Sequence, residues 1–227
     1  DILVGGAGSN ILAGRDGNDT LIGMGGNDLF DGGIGWDRVS YADYTDATGG
    51  VHVNLGGIAG YDEGTDAVVT GYGGVILSTD ALIYIEDVTG TPYNDTLIGD
   101  LHANILIGGG GYDVIRGLSG TDTLIGGEGN DELYGGFDSD ILNGGVGADK
   151  LYGVEADPTV VDNVGKDTAS YEDAPGGVDV SLATGSGTAG EAAGDTLVGI
   201  VNLTGSDYDD TLTGADSNNV LIGGAGN

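Results

Sequence analysis

Cut every nine residues, Gly108 to Tyr152 reads GGGGYDVIR, GLSGTDTLI, GGEGNDELY, GGFDSDILN and GGVGADKLY. Glycine opens every row. Asp113, Asp122, Asp131, Asp140 and Asp149 hold the sixth place, and Ile115, Leu124, Leu133, Leu142 and Leu151 the eighth. A fixed short period predicts a solenoid, in which a repeat buries its apolar residue only against its neighbours. The last three residues of a row suit a short strand, with position eight on one face and positions seven and nine on the other. The glycine-rich first six turn tightly, because glycine accepts positive φ without steric cost. Two rows, eighteen residues, then close one coil. The predicted fold class is all-β: a right-handed parallel β-roll (β-solenoid) of two sheets packed through position eight.

Stacking coils also stacks carboxylates about 4.8 Å apart, the strand spacing. At an effective dielectric of 20, two such charges repel by about 3 kcal/mol. A hard divalent cation between them reverses the sign, and calcium takes six to eight oxygen ligands from carboxylates and backbone carbonyls alike.

The rows resemble the RTX (hemolysin-type) calcium-binding nonapeptide-repeat family. That resemblance implies several Ca2+ ions as cofactor and a ligand set shared between a turn and the turn two rows later. Each turn contributes its sixth-place Asp and the carbonyls of positions two and four. The implied pairs are Asp113/Asp131, Asp122/Asp140 and Asp131/Asp149, with carbonyls of Gly109, Gly111, Gly127 and Gly129 among the ligands. By the same rule Gly120, Gly136, Gly145 and Gly147 supply carbonyls, and Asp19, Asp28, Asp37, Asp95, Asp167 and Asp210 supply carboxylates. Catalytic residues are not expected.

The chain has 37 acidic and 5 basic residues, a net charge of −32. A disordered acidic chain would avoid large aliphatics, whereas 39% of this one is hydrophobic, so a packed core is feasible once the charge is neutralised. Fifty glycines raise the entropy cost of ordering the backbone. Without metal the chain is therefore expected to be largely unfolded. So few basic residues exclude nucleic acid and acidic polysaccharide as charge-driven partners. There is no cysteine, and no apolar run approaches the ~18 residues of a membrane span, so membrane insertion is not expected. RTX-like proteins leave the cell through a type I secretion apparatus, which the resemblance makes a transient partner and which places the chain outside the cell, secreted or on the surface.

Taken in order, 1–40 holds roll rows, with Asn10 standing where the family has a carboxylate. From 41 to 89 the period lapses into an irregular β-coil insertion with strands expected at Val51–Leu55, Ala67–Thr70, Val75–Leu77 and Ala81–Ile85. Asp62, Glu63 and Asp66 there form a solvated acidic loop or an extra metal site. Rows resume over 90–152, lapse again over 153–204 and return over 205–227. The two lapses resemble each other: DRVSY at 37–41 matches DTASY at 167–171, GGVHVNL at 49–55 matches GGVDVSL at 176–182, and IEDVTGTPYNDTLIGD at 85–100 matches IVNLTGSDYDDTLTGA at 200–215. A unit present nearly twice argues for architecture, since a unique active site does not need its surroundings doubled.

His52 and His102, the only histidines, read as structural. No HExxH helix, Gly-x-Ser-x-Gly elbow or cysteine nucleophile occurs. Position three carries no regular threonine, which argues against an ice-binding array. At the eighteen-residue offset Arg116, Tyr134 and Tyr152 share one outer face and Glu132 lies beside Lys150, contacts worth under about 1 kcal/mol when exposed. The reading is a calcium-binding structural repeat region that folds on extracellular calcium into a rigid rod. Two alternatives stay open: an adhesin module binding carbohydrate or protein, with cell-surface polysaccharide as partner, and the carrier domain of a secreted enzyme. The tail GGAGN joined to the head DILV spells one further row, so the roll is expected to continue into similar repeats or to stack end to end.

Overall fold

A computed structural model describes residues 1–43, 50–56, 67–71, 79–154 and 165–226. Among them the regular structure is β-strand, with one 3-10 turn at Gly190–Ala192. The strands form a 10-stranded and a 13-stranded sheet. The chain alternates between them: Ile105–Gly110, Thr123–Glu128 and Ile141–Val146 lie side by side in the smaller sheet, and Val114–Leu118, Glu132–Gly136 and Lys150–Tyr152 in the larger. Pairing is parallel at the two-row offset, with Leu124 opposite Leu142 and Leu133 opposite Leu151. This is the parallel β-roll that the nine-residue period predicts.

The eighth-place residues fill the space between the sheets. Leu97, Leu106, Ile115, Leu124, Leu133, Leu142 and Leu151 are all fully buried. Each such burial contributes about 1.5–3 kcal/mol, but only when a coil above and a coil below complete the pocket.

The two lapses in period have one shared architecture that the nine-residue rule does not foresee. In the first, Val51–Asn54, Ala67–Gly71 and Thr79–Ile83 form an antiparallel meander in the larger sheet, between Leu29–Ile34 and Thr96–Ile98. In the second, Asp179–Ser181, Ser186–Ala189 and Thr196–Val198 do the same between Thr211–Thr213 and Lys150–Tyr152. Three of the expected strands are therefore present with slightly different bounds; the one at 75–77 and the acidic loop at 62–66 lie outside the described residues. The smaller sheet runs on without interruption, with Arg38–Ser40 paired directly to Asp87–Thr89 and Thr168–Ser170 to Asn202–Thr204. One sheet absorbs both insertions, which keeps the stacking of turns continuous along the roll.

The outer ladders also form. Tyr134 stacks on Tyr152 with ring centroids 4.7 Å apart, Arg116 lies 5.3 Å from the Tyr134 ring centre, and Lys150 pairs with Glu132 at 2.5 Å.

Candidate metal centres

Each sixth-place carboxylate is held by the coil before it. Asp95 N–H donates to Asp113 Oδ1 at 2.7 Å, Asp113 N–H to Asp131 Oδ1 at 2.8 Å, and Asp131 N–H to Asp149 Oδ1 at 2.8 Å. These residues precede strands of the larger sheet. Ahead of the smaller sheet the same bond runs from Asn104 to Asp122, from Asp122 to Asp140 and from Asp140 to Asp167, at 2.8, 2.9 and 3.0 Å. Asp19 likewise donates to Asp37, and Asn10 to Asp28. The three implied aspartate pairs are thus brought together, one on top of the other, in two ladders.

The second carboxylate oxygen has a different fate. Oδ2 of Asp19, Asp37, Asp113, Asp122, Asp131 and Asp149 is buried with no hydrogen-bond donor among the described residues. An unsatisfied buried acceptor costs about 1–3 kcal/mol, and more when charged. Glycine is required beneath it: a Cβ on Gly108 would overlap both Asp113 Oδ2 and the Gly126 carbonyl.

Backbone oxygens converge on the same turns. A Cβ on Gly127 would strike the Gly109 carbonyl, one on Gly129 the Gly111 carbonyl, one on Gly145 the Gly127 carbonyl and one on Gly147 the Gly129 carbonyl. Gly136 stands in the same relation to the Leu118 carbonyl and Gly120 to that of His102. The carbonyls of positions two and four therefore stack coil over coil.

Burial pushes the Asp113 carboxyl up to about 8 and those of Asp122 and Asp149 to about 7, with neighbouring carboxylates adding to the shift and the backbone N–H bond opposing it. Asp28, Asp37 and Asp131 are raised for the same first reason. Apart from Asp19, whose Oδ1 accepts the Asp1 ammonium at 2.6 Å, these anionic and neutral oxygens pack together without a cationic donor among the described residues. Such a set suits a hard, oxygen-seeking divalent cation of flexible geometry.

Not every row is built this way. In the rows of Asn10, Asp95, Asn104, Asp210 and Asn219 the side-chain oxygen accepts the N–H of its own row's second residue: Gly6, Thr91, Asp100, Ser206 and Ala215, at 2.6 to 2.9 Å. The second residue sorts the two kinds. It is left-handed in the uncapped rows, at φ +82° for Arg15, +113° for Gly109, +78° for Leu118 and +115° for Gly127, and in none of the five capped rows. Positive φ turns the second N–H away from the carboxylate. Asp95 and Asp210, expected as ligands, thus sit in the ladder with both oxygens already accepting protein donors.

Three ladder members escape the nine-residue pattern. Asp80 accepts Asp28 N–H, Asp195 accepts Asp149 N–H, and Glu86 accepts Asp37 N–H. The signal that would find them is an acid two residues before a buried apolar side chain, as in Asp80–Leu82, Glu86–Val88 and Asp195–Leu197; only Asp195 has a glycine five residues ahead of it, Gly190.

The profile of the RTX calcium-binding nonapeptide repeat matches four stretches, residues 1–41, 83–115, 116–151 and 202–227. Among curated proteins none matches the chain. Such repeats bind calcium and serve as structural rather than catalytic elements, and several copies imply several ions. No helix among the described residues is long and apolar enough to cross a membrane. With the nonapeptide profile covering more than half its length and the stacked, unsatisfied carboxylates that calcium would complete, the chain belongs to the RTX calcium-binding repeat family.

Proposed function

We propose that this chain is a calcium-triggered structural segment of a secreted or surface-attached bacterial protein, unfolded where calcium is scarce and a rigid rod where it is plentiful. The observation that carries the reading is the row of buried Oδ2 atoms without donors, repeated at the coil spacing. Calcium would be held by Asp113, Asp122, Asp131, Asp140 and Asp149, by Asp19, Asp28 and Asp37 nearer the start, and by Asp167, together with the carbonyls of positions two and four. Extracellular modules bind calcium at about 10⁻⁴–10⁻³ M, well above cytosolic levels. At ten times Kd each site adds about 1.4 kcal/mol, so several sites decide the folding equilibrium. Export by a type I apparatus as an unfolded chain, followed by folding outside, accords with that dependence.

The outer tyrosines favour no sugar-binding alternative: the Tyr134 ring stacks on Tyr152 and lies against Arg116. Circular dichroism through a calcium titration tests the proposal. The expected result is a cooperative gain of β-signal at millimolar calcium, reproduced by lanthanides and not by magnesium, which demands small octahedral sites. A chelator-treated chain with the full β-signal would overturn it.

A further inference from the structure

The two insertion regions solve the carboxylate problem with protein atoms. Asp95 Oδ1 accepts Val51 N–H at 2.6 Å and Thr91 Oγ1–H at 2.9 Å, while Oδ2 accepts Thr91 N–H at 2.6 Å. Asp210 repeats the set: Oδ1 accepts Val178 N–H and Ser206 Oγ–H, and Oδ2 accepts Ser206 N–H, all at 2.8 Å. Thr91 and Ser206 are each 1% exposed, so these hydroxyls are committed to the interior. At the far end of each meander a tyrosine does the same service. Tyr41 Oη–H reaches Asp80 Oδ2 at 3.2 Å and Tyr171 Oη–H reaches Asp195 Oδ2 at 2.9 Å. Asp80 and Asp195 meanwhile hold the coil before them through Oδ1.

We propose that Asp95, Asp210, Asp80 and Asp195 are calcium-free stations of the ladder, in which protein donors take the place that a calcium ion takes elsewhere: the backbone N–H of Thr91 or Ser206, backed by its own hydroxyl, at Asp95 and Asp210, and the hydroxyl of Tyr41 or Tyr171 at Asp80 and Asp195. These hydrogen bonds leave the carboxylate charge in place but satisfy Oδ2, the acceptor that has no donor in the uncapped rows. The placement follows a structural need. Each station borders a meander, where the strand order departs from the simple roll and the coil that the carboxylate holds is not eighteen residues away. Val51 and Val178, the amides captured by Asp95 and Asp210, start the first meander strands or directly precede them. The four stations therefore fix the register at which the insertions rejoin the roll without waiting for metal. The inference rests on the reading that uncapped rows take calcium.

Counting bound calcium by equilibrium dialysis at saturation, in the parent chain and in three variants, tests it. Thr91→Gly and Ser206→Gly remove the hydroxyl and free the second residue to become left-handed, as in the uncapped rows; each is expected to bind one calcium ion more than the parent. Thr91→Val removes the hydroxyl but keeps a β-branched residue that resists positive φ. It is expected to bind the parent's number of ions while the Val51 amide exchanges up to about tenfold faster, the loss of one net hydrogen bond. Unchanged counts in both glycine variants, or one ion fewer in Thr91→Val, would overturn the proposal. A parent chain that binds no calcium would instead overturn the proposed function. The hydroxyl stations would then be judged in chelator alone, where Val51 and Val178 amides exchanging as fast as those of Gly109 and Gly127 would refute them.

Discussion

Residues 108–152 and 168–213 share two sheets and a carboxylate ladder, but they differ in what satisfies its oxygens. In the first stretch every row repeats, the second residue is left-handed, and the Oδ2 atoms of Asp113, Asp122, Asp131 and Asp149 find no protein donor among the described residues. In the second the rows break, and Tyr171, Ser206 and the Ser206 amide supply the donors to Asp195 and Asp210. Regularity and calcium demand go together for a physical reason. A strictly repeated turn presents the same oxygens in every coil, so no turn can furnish the donor that its neighbour needs. An irregular turn can place a hydroxyl there.

Calcium removal should separate the two regions most strongly. With chelator present, hydrogen exchange is expected to show protection lost throughout 108–152, by several orders of magnitude if that stretch unfolds, while the Val178 and Ser206 amides, both bonded to the Asp210 carboxylate, retain measurable protection. Uniform loss along the chain would erase the distinction.

Single carboxylates come next. Asp131→Ala removes the acceptor of Asp113 N–H and one ligand of two proposed sites, with Asp113 and with Asp149. Asp210→Ala breaks bonds from Ser206 and Val178 only. The calcium midpoint should rise several-fold in the first variant and little in the second, whose cost of about 1–3 kcal/mol appears with or without calcium. Equal midpoints would show the pairing to be misassigned.

Acidity should act on the calcium-free chain with a definite sign. Carboxyls raised by folding bind protons more tightly in the folded state than in the unfolded one, so stability is present at low pH and is lost as pH rises through the folded values. That loss runs from about pH 4 up to about 8 at Asp113, and only to about 6 at Asp195 and Asp80. In chelator, protection corrected for intrinsic exchange should therefore keep falling between pH 6 and 8 around Asp113 and have levelled around Asp195. With calcium bound the slope should reverse, because protons compete with the ion.

The smallest effect belongs to the outer ladder. Tyr152→Ala should cost no more than about 1 kcal/mol and leave the calcium midpoint unmoved, because the stacked ring faces outward from an already complete coil. A shifted midpoint would tie that face to the metal sites.

Much of this was legible in the residues themselves. A nine-residue period with glycine first, aspartate sixth and a large aliphatic eighth dictates strands of fixed face, a two-row coil and stacked carboxylates, because each follows from spacing alone. The duplication of DRVSY, GGVHVNL and TPYND was legible too, but its meaning was not. Only the tertiary structure brings Tyr41 to Asp80, 39 residues away, and Tyr171 to Asp195, 24 residues away, the same bond closing two insertions of different length. Nor does a nine-residue count distinguish Asp95 from Asp113, which occupy the same place in their rows. What separates them is the backbone hand of the second residue and the hydroxyl it carries, and that hand is chosen by the strands stacked on either side.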